Sequence, residues 1–141
     1  MNDGFSFTRL DPRSGERFQA LRRELGVSSF GMNLITLQPG QRGRIHSHAR
    51  QEEVFFVLEG ELALGIDGEE HTLGAGELAR VAPDLRRQLT NRRPQRLVLL
   101  ALGGDGEHTG RDGTAYATWD ATEGTPPQET PLPDDVAVEQ S

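Results

Sequence analysis

Neither lysine nor cysteine occurs in the 141 residues, and all fifteen basic side chains are arginine. Without lysine there is no Schiff-base nucleophile and no phosphate-loop ammonium. Without cysteine there is no thiol nucleophile, thiolate metal site or disulfide, which accords with a cytosolic chain. Long apolar runs are missing too, since no stretch approaches the roughly 18 residues of a membrane span. The opening MNDGFSFTRLDPRSGERF has neither the positive first residues nor the apolar run of a secretory signal. The expectation is a cytoplasmic protein of one domain with no membrane association. Histidine, carboxylate and arginine are left to carry any reactivity.

The net charge of −7 hides an asymmetry. Residues 101–141 hold nine acids against Arg111 alone, whereas residues 1–100 carry 14 arginines against 13 acids. The C-terminus therefore reads as an acidic extension, which repels nucleic acid and anionic membrane. Six arginines from Arg80 to Arg96 argue the other way. No helix-turn-helix or stacking-aromatic pattern surrounds them, so no nucleic-acid partner is expected.

Turn signals recur through the middle at Pro39-Gly40, Gly60, Asp67-Gly68, Gly74, Gly76 and Pro83-Asp84. Strand-like runs lie between them: Ser29 to Leu37, Arg44 to His48, Val54 to Glu59, Glu61 to Ile66, Glu69 to Leu73, Leu78 to Val81 and Leu97 to Leu102. Short strands so spaced indicate an all-β sandwich or barrel. Asp67-Gly68 is a two-residue hairpin signal, because both central positions need positive φ. The one helix expected spans Gly15 to Leu25, where Phe18, Leu21 and Leu25 recur at helical spacing. After Trp119 the chain is rich in proline and acid, so extended or disordered chain is expected. The division read from these signals is an N-terminal extension over 1–28, a barrel over 29–119 and an acidic tail over 120–141.

The segment that carries chemistry is PGQRGRIHSHARQEEVFFVLEGEL, residues 39–62. His46 and His48, two apart on a strand, project to one face. Glu53 opens the next strand, and an antiparallel neighbour would bring its carboxylate beside the imidazoles. Two imidazoles and one carboxylate suit Fe(II), with Mn(II), Ni(II) or Zn(II) also accommodated, and leave positions open for substrate. Alternation sends Glu52 to the opposite face, and puts Phe55 and Val57 on the face of Glu53, as core or as the apolar wall of a substrate pocket. The amide oxygen of Gln51 is a further candidate ligand. His71 reads as a solvated strand residue and His108 as an exposed one. Tyr116 and Trp119 suit a final strand or a lid.

Gly40, His46, His48, Glu53 and Gly60 fit the first cupin motif, G-x5-H-x-H-x3-4-E-x6-G, at every spacing, and over about residues 29–102 the chain resembles small single-domain cupins. The resemblance implies a double-stranded β-helix, or jelly-roll barrel, with a divalent metal in its mouth and commonly a homodimer. Phe56 and Leu58 are outward candidates for the dimer contact. The second motif departs from the family pattern. Aligning Gly76 and Asn91 puts Ala82 at its proline, Asp84 at its second glycine and Arg87 at the histidine that serves the family as fourth ligand. A register shifted by one offers Gln88 instead.

Guanidinium is a permanent cation with donors only and cannot ligate. At about 5 Å from a dication, with an effective dielectric near 20, the repulsion is roughly 6–7 kcal/mol. Two arrangements remain: Arg87 leans to the mouth and grips an anionic ligand, or it pairs with Glu53 in a barrel without metal. The first suits a metal-dependent dioxygenase or isomerase acting on a small organic anion. The alternative is a metal-free small-molecule binding or sensor protein in which Arg87 takes the anion. A third reading gives the acidic tail a basic protein partner.

Overall fold

Alternating side chains and tight turns give this chain its sheets. The computed structural model describes residues 4–104 and 112–140. In chain order the elements are β1 (Phe18–Gln19), α1 (Leu21–Leu25), β2 (Gly31–Leu37), β3 (Ile45–His48), β4 (Glu52–Glu59), β5 (Glu61–Ile66), β6 (Glu69–Gly74), β7 (Leu78–Val81), β8 (Arg87–Thr90), β9 (Leu97–Gly104) and β10 (Gly113–Tyr116). The hairpin between β5 and β6 turns on Asp67 and Gly68, with φ of 49° and 91°. Both lie in the left-handed region that the short hairpin turn requires.

Two five-stranded antiparallel sheets result, ordered β1-β2-β9-β4-β7 and β10-β3-β8-β5-β6. Their facing sides enclose one core, in which Ile35, Phe55, Val57, Leu64, Leu89 and Leu99 are all buried. Burying each such side chain contributes about 1.5–3 kcal/mol. On the outer side of the first sheet a smaller cluster of Leu21, Leu34 and Val98 seats α1, with Leu58 packed against it. Leu58, named as a dimer-contact candidate, is partly buried against this cluster.

The helix is shorter than its periodicity suggests. Phe18 and Gln19 pair with Ile35 and Leu34 as an edge strand, leaving only Leu21–Leu25 helical. Backbone pairing outweighs the weak amphipathic pattern there, and Phe18 stays exposed on the edge. None of the helices among the described residues is long and apolar enough to cross a membrane.

The C-terminal segment is extended but tied down. Thr125 exchanges backbone hydrogen bonds with Ala115 at 2.8 and 2.9 Å, the N–H of Val136 donates to the Gly40 carbonyl at 2.8 Å, and that of Glu139 to the Arg92 carbonyl at 2.7 Å. Arg42 Nε donates to the Asp134 carbonyl at 2.7 Å. The Trp119 indole lies over Gly65, where a Cβ would stand 2.8 Å from the ring. Low apolar content predicts disorder only if apolar burial is what orders a segment; here backbone hydrogen bonds to the barrel do that work.

Candidate metal centre

His46 and His48 lie on β3 of the second sheet, and Glu53 on β4 of the first. They are not strand neighbours, as the short connection between them suggests, but meet across the barrel interior. Glu53 Oε1 is 3.5 Å from His46 Nε2 and 3.4 Å from His48 Nε2. One ligand atom from each residue lies within 4.8 Å of the others. The two imidazole planes stand at 89° to each other.

Each imidazole is held by its other nitrogen. His46 Nδ1 donates to the Arg44 carbonyl at 3.1 Å, and His48 Nδ1 donates to Asp112 Oδ1 at 2.8 Å. Both bonds place the proton on Nδ1 and leave the Nε2 lone pair facing Glu53, the tautomer a metal ligand needs. His48 Nε2 and Glu53 Oε1 are buried and have no hydrogen-bond partner. Unpartnered buried acceptors of this kind are costly, and a dication would satisfy them together.

Asp112 is the functional residue that spacing does not reveal. It stands beside β10, whose Gly113 pairs with His48. Its Oδ2 accepts the backbone N–H groups of Arg50 and Gln51 at 2.8 and 2.9 Å, and its Oδ1 also accepts Gln51 Nε2 at 2.5 Å. Gln51, a candidate ligand by sequence, thus positions Asp112 instead. Only the polar run ending in Asp112-Gly113 before a strand hints at this role, and nothing in it points to His48. His71 is exposed near Glu69, and His108 lies outside the described residues.

Charge in the cluster is unbalanced. Burial pushes the His48 pKa down, but Glu53 and Asp112 outweigh it and hold the imidazole above its usual value. Burial raises the Glu53 carboxyl, yet the imidazoles of His46 and His48 beside it outweigh burial and hold it well below the usual carboxylate range. The centre therefore draws positive charge, as a proton or as a metal ion.

Arg87 pairs with His46 in the register between β3 and β8, which turns both side chains inward. Its side chain is 0% exposed, with Nε 3.5 Å from Glu53 Oε1. The terminal nitrogens donate to the carbonyls of Pro83 at 3.2 Å, Val81 at 3.4 Å and Ala82 at 2.7 Å. The terminal nitrogens are thus committed to three carbonyls of the preceding turn, while Nε is buried without a hydrogen-bond partner. Gln88, the shifted-register alternative, points away and donates to the Gly43 carbonyl at 2.9 Å.

A cavity of about 240 Å³ opens beside the donors, and His46, His48, Glu53 and Phe55 line it. Val57 does not; it is 0% exposed within the core. Of the two apolar residues assigned to a substrate wall, both belong to the core and Phe55 also lines this cavity.

Two antiparallel sheets wrapped into a jelly roll, with two imidazoles and a carboxylate converging inside, define the class of β-barrel proteins to which cupins belong. This chain belongs to the cupin domain family (Cupin_2), which matches it over residues 33–103. It is 34% identical over 67 residues to polyketide synthase CurC of Streptomyces cyaneus, covering 48% of this chain and 44% of that protein. The chain thus spans less than half the length of that curated relative. Among solved structures it resembles a cupin-superfamily sugar phosphate isomerase from Silicibacter pomeroyi, with 30% identity, a TM-score of 0.64 and coverage of 82% of this chain and 79% of the other. A cupin from Bacteroides fragilis shares the fold at 21% identity and a TM-score of 0.65, covering 86% and 98% of the two chains.

Proposed function

We propose that this cupin is an enzyme that holds a divalent ion, Fe, Mn, Ni or Zn, through His46, His48 and Glu53 and acts on a small organic anion. The observation that carries the proposal is the convergence of His48 Nε2 and Glu53 Oε1, both buried and unpartnered, beside His46 Nε2. The ion would supply Lewis-acid polarisation of a bound oxygen. The chain's own residues fix the rest. Arg44 and Asp112 set the imidazole tautomers, and Phe55 closes the cavity wall against water. Likeness to a protein described as a sugar phosphate isomerase supports an isomerase reaction; the two-histidine, one-carboxylate set equally supports a dioxygenase.

Metal analysis of untagged protein reconstituted with Fe(II), Mn(II), Ni(II) or Zn(II) tests the proposal. One equivalent in the native chain and none in His46→Ala supports it; sub-stoichiometric metal under every condition overturns it. A metal-free binding barrel is the second reading, favoured by Arg87 standing 3.5 Å from Glu53, and the same measurement decides between them.

A further inference from the structure

The cavity beside the donors has an unusual lining for a site that handles a polar substrate. Phe18, Ile35, Phe55, Leu89, Ala101 and Pro127 form its walls. Apart from the metal-centre donors, its polar side chains among the described residues are Asn33 and Arg44. At about 240 Å³ it holds roughly eight water volumes, below the usual range for drug-sized ligands.

Arg44 is built into place. Its carbonyl accepts His46 Nδ1 at 3.1 Å, and its own Nε donates to the Thr130 carbonyl at 2.6 Å. Thr130 is buried in the C-terminal segment, whose Pro127 also lines the cavity. With Nε anchored from outside, the two terminal nitrogens have no hydrogen bond or ion pair among the described residues. Arg44 lines this cavity and also a second one bounded by Ile45, Trp119 and Thr130, and its unpaired terminal nitrogens offer a planar donor fork, the geometry that matches a carboxylate. Arg87 is not among the described residues that line this cavity, and its terminal nitrogens donate to carbonyls of the preceding turn.

Charge points the same way, and here the argument rests on the proposed metal. A dication with Arg44 and Arg87 outweighs Glu53 and Asp112, so an entering anion lowers the electrostatic cost of filling the site. A polyol phosphate is a poor match, since its hydroxyls would face hydrocarbon walls without partners.

We propose that the cavity takes a small carboxylate with an apolar body, its carboxylate gripped by Arg44, whose Nε the C-terminal segment anchors. Calorimetric titration of full-length protein, after metal content is measured on the same sample, tests this with benzoate, its neutral counterpart benzamide and glucose 6-phosphate. Benzoate should bind about tenfold or more tightly than benzamide. Arg44→Gln should erase that ratio without changing metal stoichiometry, and Arg44→Lys should restore part of it. Three results overturn the proposal: a ratio near one in the native chain, a native ratio in Arg44→Gln, or glucose 6-phosphate binding better than benzoate. A sample without metal defeats the metal reading alone, because its benzoate-to-benzamide ratio still reports on Arg44. Benzoate held through a metal rather than through Arg44 appears as an undiminished ratio in Arg44→Gln, which counts against the assignment.

Discussion

Residues 39–62 and 76–91 supply paired neighbours, β4 beside β7 and β3 beside β8, yet they treat their polar atoms in opposite ways. In the first segment His48 Nε2 and Glu53 Oε1 are buried without partners and aimed at a common point. In the second, Arg87 leaves only Nε without a partner and gives its terminal nitrogens to the carbonyls of Val81, Ala82 and Pro83. Asn91, retained from the family pattern, is spent likewise: its amide donates to the carbonyls of Leu37 at 3.0 Å and Gln95 at 2.8 Å. Polar groups left unsatisfied at a cost of folding free energy mark a place where something binds. Groups satisfied by their own turn mark a structural brace. The departure from the family motif has thus converted a ligand position into a support that also carries charge next to Glu53.

The largest expected effect separates brace from site. Arg87→Ala removes a buried cation and leaves three carbonyls and Glu53 without it, so stability should fall by about 3–5 kcal/mol, a large part of the roughly 5–15 kcal/mol typical of a domain. His46→Ala, at a partly exposed position, should cost about 1 kcal/mol or less while abolishing metal uptake. Urea melts of both metal-free variants check the contrast. Equal losses would mean that the two segments are not divided as described.

Much of this division can be read in the chain. Seven strands match the strand-like runs between turn signals closely, and β5, at Glu61–Ile66, agrees at both ends. β8 escaped because Leu89 is the one apolar residue among its four buried residues Arg87, Gln88, Leu89 and Thr90, so neither composition nor alternation marks it. The ligand trio is legible from side-chain type and spacing, but its assembly across two sheets is not, since pairing partners depend on topology. For Arg87 the motif comparison locates the anomaly correctly. What it cannot supply is the direction of the guanidinium, which depends on carbonyls turned inward by residues 81–83.

Asp112 sharpens the comparison from the first segment's side at intermediate magnitude. It lies 64 residues from His48 in the chain, so only the pairing of β10 with β3 brings it near. Asp112→Asn should weaken metal binding by about 10–100-fold and lower the urea midpoint modestly, because the new amide NH2 faces two donors that the carboxylate accepts. In the metal-free variant, burial still lowers the His48 pKa and Glu53 still raises it, but the lift from Asp112 is gone. The imidazole should therefore titrate at lower pH than in the native chain, as followed by NMR. An unchanged metal affinity would show that Asp112 braces the Arg50 and Gln51 backbone and does nothing for His48.

Gln88 provides the smallest and most selective test. A register shift in the second motif would make it the fourth ligand, whereas its amide in fact donates to the Gly43 carbonyl at 2.9 Å, on the other side of β8 from Arg87. Gln88→Ala should therefore lose one hydrogen bond, about 1 kcal/mol, and leave metal affinity at the native value. Calorimetric metal titration separates the alternatives. If affinity falls with Gln88, the second segment contributes a ligand after all and the contrast with residues 39–62 is lost. If it holds while Arg87→Ala destabilises the fold, the barrel keeps its binding chemistry on β3 and β4 and uses β8 to support it.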